Sequence, residues 1–233
     1  MNGRVLDRTK RLIKEWAVVV LVGLLALFAC AKLGEDVFSH ETGTFDGAIQ
    51  SWVMAHQNGA LVRVFLAITY MGSVPVMVSV AVVGALWLWR RSGRETGAAA
   101  LIAPTVATTL FLVLKQIFAR ARPIIAGQPV LKTYAFPSGH ATASTAVCCT
   151  LAYVYWREGF ISRRVALCIA IVPPLLIGLS RVYLDVHWMT DVFGGWSLGL
   201  LVAVMGVMLF DRHRRREAAA KSSAPATAPA PEA

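Results

Sequence analysis

Residues 180–191, SRVYLDVHWMTD, hold Arg181, Asp185, His187 and Asp191 between two apolar segments. His187 and Asp191 are four apart, one helical turn, so they share a face. A carboxylate on one imidazole nitrogen sets the tautomer and leaves the other nitrogen free to attack as a nucleophile. It also stabilises the cation that attack creates. The stretch KQIFARARP contributes Lys115, Arg120 and Arg122. Arginine grips phosphate through paired hydrogen bonds, lysine as a point charge. A third stretch, Pro137-Ser138-Gly139-His140, stands at the start of an apolar run. Backbone N–H groups and the helix dipole favour an anion there, and Gly139 would let it approach closely. His140 is placed to protonate a leaving oxygen and later to deprotonate water. Phosphoryl transfer rests on positioning and on neutralising the phosphate oxygens. The set therefore reads as a phosphoryl-transfer site. Zinc on His140, His187 and Asp191 is chemically conceivable, but the surrounding cations would repel a dication. No metal and no cofactor is expected.

These groups need a scaffold, and the composition says which kind. Of 233 residues, 57% are hydrophobic and only 15% charged, against roughly half and a quarter in soluble domains. A helix needs ~20 apolar residues to cross a bilayer. Six runs are candidates: 16–33, 64–89, 96–114, 139–156, 165–180 and 192–210. Pro75, Pro104, Pro173 and Pro174 fall inside runs, which bundled membrane helices tolerate. The first run follows a basic segment, as in a signal peptide. Phe28 beside the small residues around Cys30 fits cleavage poorly, and an anchoring helix is expected. Cys30, Cys148, Cys149 and Cys168 all lie in apolar runs and read as buried small hydrophobes, not as disulfides.

The net charge of +10 is a topology signal. Sixteen of the twenty-three Lys and Arg residues precede the first run or follow the second, fourth and sixth. Alternating helices put all of these on one side, which the positive-inside rule makes cytoplasmic. Nucleic acid is thereby an unneeded partner. The expectation is an all-α bundle of six transmembrane helices with both termini cytoplasmic. A basic N-terminus (1–15) precedes the membrane domain (16–212), and a basic, then Ala/Pro-rich disordered tail (213–233) follows it. The loop at 34–60 faces outward. Seven cationic residues remain on that outer side: Lys32, Arg63, Lys115, Arg120, Arg122, Lys132 and Arg181. Lys32 and Arg63 are explained as snorkelling helix ends. The other five, with His140, His187 and Asp191, converge on one membrane surface by topology alone.

In order and spacing these residues resemble the signature of the type 2 phosphatidic acid phosphatase (PAP2) family. Lys-x6-Arg-Pro is matched by Lys115, Arg122 and Pro123, and Pro-Ser-Gly-His by residues 137–140. Ser-Arg-x5-His-x3-Asp is matched by Ser180, Arg181, His187 and Asp191. The resemblance spans residues 115–191, and the six-helix layout is similar to the bacterial membrane branch. It implies that His187 forms a phosphohistidine, Asp191 supports it and His140 is the general acid. Lys115, Arg122, Ser138, Gly139 and Arg181 would bind the phosphate, without a metal. The implied partners are the bilayer and a phosphorylated lipid in a bacterial inner membrane, approached from the periplasmic or exterior face. Undecaprenyl pyrophosphate is the first choice, followed by phosphatidylglycerol phosphate and phosphatidic acid. Transfer to a second acceptor, as to lipid A, is the alternative to hydrolysis. Arg120 resembles a second arginine of some members but reads equally as a solvated helix end. Ser180 is expected to cap or orient and Asp185 to face water, while Lys132 and Tyr134 are minor candidates for contact with a head group.

Overall fold

The structure, a computed structural model, describes residues 3–123 and 133–223, with side chains described over 17–123 and 133–216. Lys132 and the tail beyond Ser223 lie outside the described residues. Within them the chain is all-helical: α1 (Gly3–Phe38), α2 (Gly43–His56), α3 (Gly59–Met71), α4 (Val74–Ser92), α5 (Arg94–Phe118), α6 (Gly139–Arg157), α7 (Arg163–Tyr183) and α8 (Met189–Ser223). Five segments are long and apolar enough to cross a membrane: Ala17–Phe38, Val74–Ser92, Arg94–Phe118, Arg163–Tyr183 and Met189–Arg216.

The run at 64–89, expected as one span, is two helices. Gly72 and Ser73 end α3, where the Gly72 N–H bonds the Thr69 carbonyl at 3.0 Å and the Ser73 N–H that of Tyr70 at 3.1 Å. Pro75 then falls in the first turn of α4, where its missing N–H and fixed φ suit a helix start. A proline read as tolerated inside a span instead begins one. The C-terminal segment also differs, since α8 continues as helix to Ser223.

Helix α6 is absent from the apolar five, and its surroundings explain why. It packs against α8, α7, α5 and α4, with most of its residues buried. A helix wrapped by protein can be poor in large apolar residues, and small ones let backbones approach. Its hydroxyls bond the carbonyls of the preceding turn, Thr142 to Ser138 at 2.9 Å and Thr145 to Ala141 at 2.7 Å. The seam with α8 is closer still. A Cβ at Gly199 would stand 2.6 Å from the Thr142 carbonyl, and one at Gly195 2.7 Å from that of Ser138. The cysteines are free, but only Cys148 is buried; Cys30 and Cys149 are partly covered and Cys168 is exposed on the outside of α7. Among helices facing lipid, an apolar run need not be a buried one.

Gly199→Val is expected to lower stability by about 1–3 kcal/mol through overpacking. A fall in the thermal midpoint in detergent checks it; an unchanged midpoint would contradict the close seam.

Candidate active site

The signature residues sit where helices begin or end. Lys115 is in the last turn of α5 and Arg122 just beyond it, His140 opens α6, Arg181 closes α7, and Asp191 is in the first turn of α8. Antiparallel helices bring these ends together. Arg90, Arg91, Arg94, Arg157, Arg163 and Arg164 occupy the opposite helix ends, so the two cationic populations separated in the sequence are also separated in space.

His187 lies in the connection between α7 and α8 and is 3% exposed, while Asp191 is fully buried. Asp191 Oδ2 is 3.2 Å from His187 Nδ1, and Arg122 Nη1 is 3.0 Å from His187 Nε2. A guanidinium only donates and a carboxylate only accepts. Nδ1 therefore carries the proton, and the Nε2 lone pair faces Arg122. Burial first, then the charges of Arg122, Lys115 and Arg181, hold the His187 imidazole well below its ordinary pKa, so it is neutral at physiological pH. Burial likewise lowers the Arg122 guanidinium.

The cations are held mainly by neutral oxygens. Lys115 Nζ donates to the carbonyls of Tyr134 at 2.5 Å and Ala135 at 3.1 Å. Arg122 donates to the Thr133 carbonyl at 2.7 Å, to Thr133 Oγ1 at 2.9 Å and to the Val186 carbonyl at 2.6 Å. Arg181 Nη1 donates to Thr69 Oγ1 of α3 at 2.7 Å. Carbonyls position a cation without cancelling its charge. Arg181 Nε and Ser138 Oγ are buried without a hydrogen-bond partner among the described residues, an arrangement that calls for a missing acceptor. Lys115, Arg122, Arg181 and His187 all act electrostatically on His140, and the five groups therefore form one cluster of excess positive charge. Among the described residues no group of three or more His, Cys, Asp or Glu could hold a metal ion.

Several sequence expectations change in detail. A Cβ at Gly139 would meet the Phe111 ring at 2.9 Å, so the glycine is required by packing on α5, apart from any ligand. Ser180 is buried and its hydroxyl bonds the Ile177 carbonyl at 2.6 Å. Asp185, expected in water, is 5% exposed and accepts from Gln50 Nε2 at 3.1 Å. Burial raises its pKa, against the Gln50 hydrogen bond. Arg120 is no solvated helix end. Its Nη1 pairs with Asp191 Oδ1 at 2.6 Å and its Nη2 with Asp46 Oδ2 at 2.7 Å. Asp46, read only as part of an outward loop, is a buried member of the site's surroundings. Its distance in sequence and its unremarkable neighbours carried no signal.

Comparison with known proteins points to one family. The family model described as the PAP2 superfamily matches residues 96–215. Phosphatidylglycerophosphatase B of Bacillus subtilis is 31% identical over 188 residues, covering 79% of this chain and 92% of that one. Undecaprenyl-diphosphatase of Sulfolobus acidocaldarius is 29% identical over 138 residues, covering 57% and 63%. The crystal structure of a transmembrane PAP2 type phosphatidylglycerolphosphate phosphatase from Bacillus subtilis superposes with a TM-score of 0.75 at 29% identity, over 82% of this chain and 96% of that one.

In histidine-¹⁵N-labelled protein in micelles, His187, identified by its loss in His187→Gln, is expected to stay neutral at pH 6, below the ordinary value of about 6.5. Arg122→Gln removes a nearby cation and is expected to move its titration upward. A doubly protonated His187 ring at pH 6 in the unaltered protein would contradict the site's electrostatics.

Proposed function

The chain belongs to the PAP2 superfamily and is a membrane lipid phosphatase, and from that premise we propose that it cleaves its substrate through a phosphohistidine on His187. One observation carries the reading: the cation cluster surrounds an imidazole whose Nε2 lone pair faces Arg122 and whose Nδ1–H is held by Asp191. The substrate phosphate takes the place of neutral oxygens on Lys115, Arg122 and Arg181, and meets Ser138 and the first-turn amides from Gly139 onward. Nε2 attacks phosphorus, the bond to the leaving oxygen breaks, and His140, protonated once the bound phosphate dianion offsets the surrounding cations, gives that oxygen its proton. Asp191 stabilises the charge that develops on the ring. His140 then takes a proton from water, which attacks phosphorus, breaks the P–N bond and releases phosphate. No step is assigned to a metal.

The helix count belongs to the same proposal. Counting α6 with the five apolar segments makes six spans, with α2 and α3 at the outer end. The arginines of the opposite helix ends then face the cytoplasm by the positive-inside rule. The termini are cytoplasmic and the site opens on the outer face of a bacterial inner membrane.

The proposed order of substrates follows the coverage of two relatives. Phosphatidylglycerol phosphate moves ahead of undecaprenyl pyrophosphate, because phosphatidylglycerophosphatase B aligns over 92% of its length and the diphosphatase over 63%.

The purified protein is expected to release phosphate from phosphatidylglycerol phosphate in micelles, undiminished by EDTA. His187→Ala is expected to abolish release and the acid-labile, base-stable phosphoryl adduct seen by mass spectrometry after rapid quench. Activity retained in His187→Ala removes the nucleophile assignment, and loss with EDTA removes the metal-free one. In mixed-lipid reactions, a phosphorylated second lipid with little free phosphate would identify transfer in place of hydrolysis.

A further inference from the structure

We propose that Arg120 and Asp46 are positioning residues that aim the Asp191 carboxylate at His187 and make α2 part of the catalytic apparatus. The inference rests on the reading of His187 given above.

The guanidinium of Arg120 is occupied on both arms. Nη1 donates to Asp191 Oδ1 at 2.6 Å and Thr190 Oγ1 at 2.8 Å. Nη2 donates to Asp46 Oδ2 at 2.7 Å and Thr42 Oγ1 at 2.7 Å. The ring of Trp188 lies beneath it, with Cζ 5.8 Å from the centroid. Asp191 and Asp46 are 0% and 2% exposed. Arg120 is thus a bridge between two buried carboxylates and not a phosphate ligand.

The consequence for Asp191 is geometric. A carboxylate has two oxygens and rotates about one bond. Arg120 fixes Oδ1, so Oδ2 is left for His187 Nδ1 and for the backbone N–H of Trp188 at 2.9 Å. Asp46 secures the bridge from behind. Its Oδ1 accepts from the Thr190 N–H at 3.0 Å, and its Oδ2 from the Thr190 hydroxyl at 2.6 Å. It therefore holds α2 to the turn of α8 that bears Asp191.

A structural brace and a positioning device differ in electrostatic sign. Arg120 partly cancels the negative charge that Asp191 presents to His187. With Arg120→Gln that charge is uncompensated, the imidazolium is stabilised, and the acid limb of kcat/KM moves to higher pH. With Asp46→Asn, Arg120 loses its second anion, its charge acts undiluted, and the acid limb moves to lower pH. The other charged or titratable groups facing His187 are Lys115 of α5, Arg122 beyond it, His140 of α6 and Arg181 of α7. All are retained in both variants, and α3 contributes Thr69, through Arg181.

The test is a pH series of phosphate release from phosphatidylglycerol phosphate by the full chain in micelles. Arg120→Gln is expected to lose ~10–100-fold in kcat, as when other supporting partners are removed. Its KM should stay within about threefold, because Arg120 does not touch substrate, and its acid limb should rise by roughly one pH unit. Arg120→Lys keeps the charge and is expected to keep the limb in place with part of the rate. Asp46→Asn is isosteric, still accepts from Thr190, and is expected to shift the limb downward, so it carries the test if Arg120→Gln does not fold. Limbs that do not move in these variants, or a KM that rises in proportion while kcat is unchanged, would overturn the proposal. Its failure is separable from that of the nucleophile reading: activity in His187→Ala sinks that reading, whereas a dead His187→Ala with unmoved limbs sinks only this one.

Discussion

The end of the bundle that carries the site is organised around Asp191. Its side chain accepts from the connection that carries His187 and from Arg120 beyond α5, and its backbone carbonyl accepts from the Ser138 N–H at 2.9 Å. Three segments that share no sequence neighbourhood therefore meet on one fully buried residue. An isolated carboxylate in that position would be prohibitively costly. Once paired it is hard to disturb, since removing one partner of a buried ion pair typically costs about 3–5 kcal/mol. The geometry proposed for catalysis and the packing of the helix ends are in that sense one constraint.

The cations pose the complementary problem. Lys115 and Arg122 come from the end of α5 and Arg181 from the end of α7, and the buried Asp191 carboxylate is already shared with Arg120. Carbonyl and hydroxyl oxygens keep the three in place without neutralising them. This keeps the site complementary to an anion, at the expense of mutual repulsion in the empty protein. Burial, reinforced by the same repulsion, keeps His187 unprotonated, as a nitrogen nucleophile must be. One electrostatic arrangement thus serves both attraction of a phosphate and activation of the group proposed to attack it.

Much of this was legible in the sequence because helix ends are what sequence patterns mark best. Charge patterning separated the arginines of the opposite end from Lys115, Arg122 and Arg181. The short fourth run, 139–156, coincides with α6 (Gly139–Arg157) to within a residue. What escaped had physical causes. The break at Gly72–Ser73 was hidden inside an unbroken apolar run, because hydropathy reports the environment of side chains and not the continuity of backbone hydrogen bonds. Asp185 and Asp46 looked like ordinary exposed acids, and burial of a short acidic side chain depends on partners brought by other helices. Arg120 was ambiguous for the same reason: its role is set by Asp46, 74 residues away in the chain.

The location of the site at the helix ends follows from the solvent on each side. A charged group in mid-bilayer must be matched or hydrated at high cost, whereas a helix end provides unpaired backbone donors and nearby water. A lipid phosphate lies at that same depth, with its chains in the hydrocarbon and its head group at the boundary. A bundle that collects cations at one end and presents apolar surfaces below matches such a molecule along its whole length. It also lets the leaving phosphate depart into water without crossing the hydrocarbon. The short helices α2 and α3 fit this scheme. Val53 of α2 packs with Ala141, Val182 and Val192, and Asp46 of the same helix reaches Thr190. Apolar packing thus seats α2 over the ends of α6, α7 and α8, and a buried ion pair sets its register there.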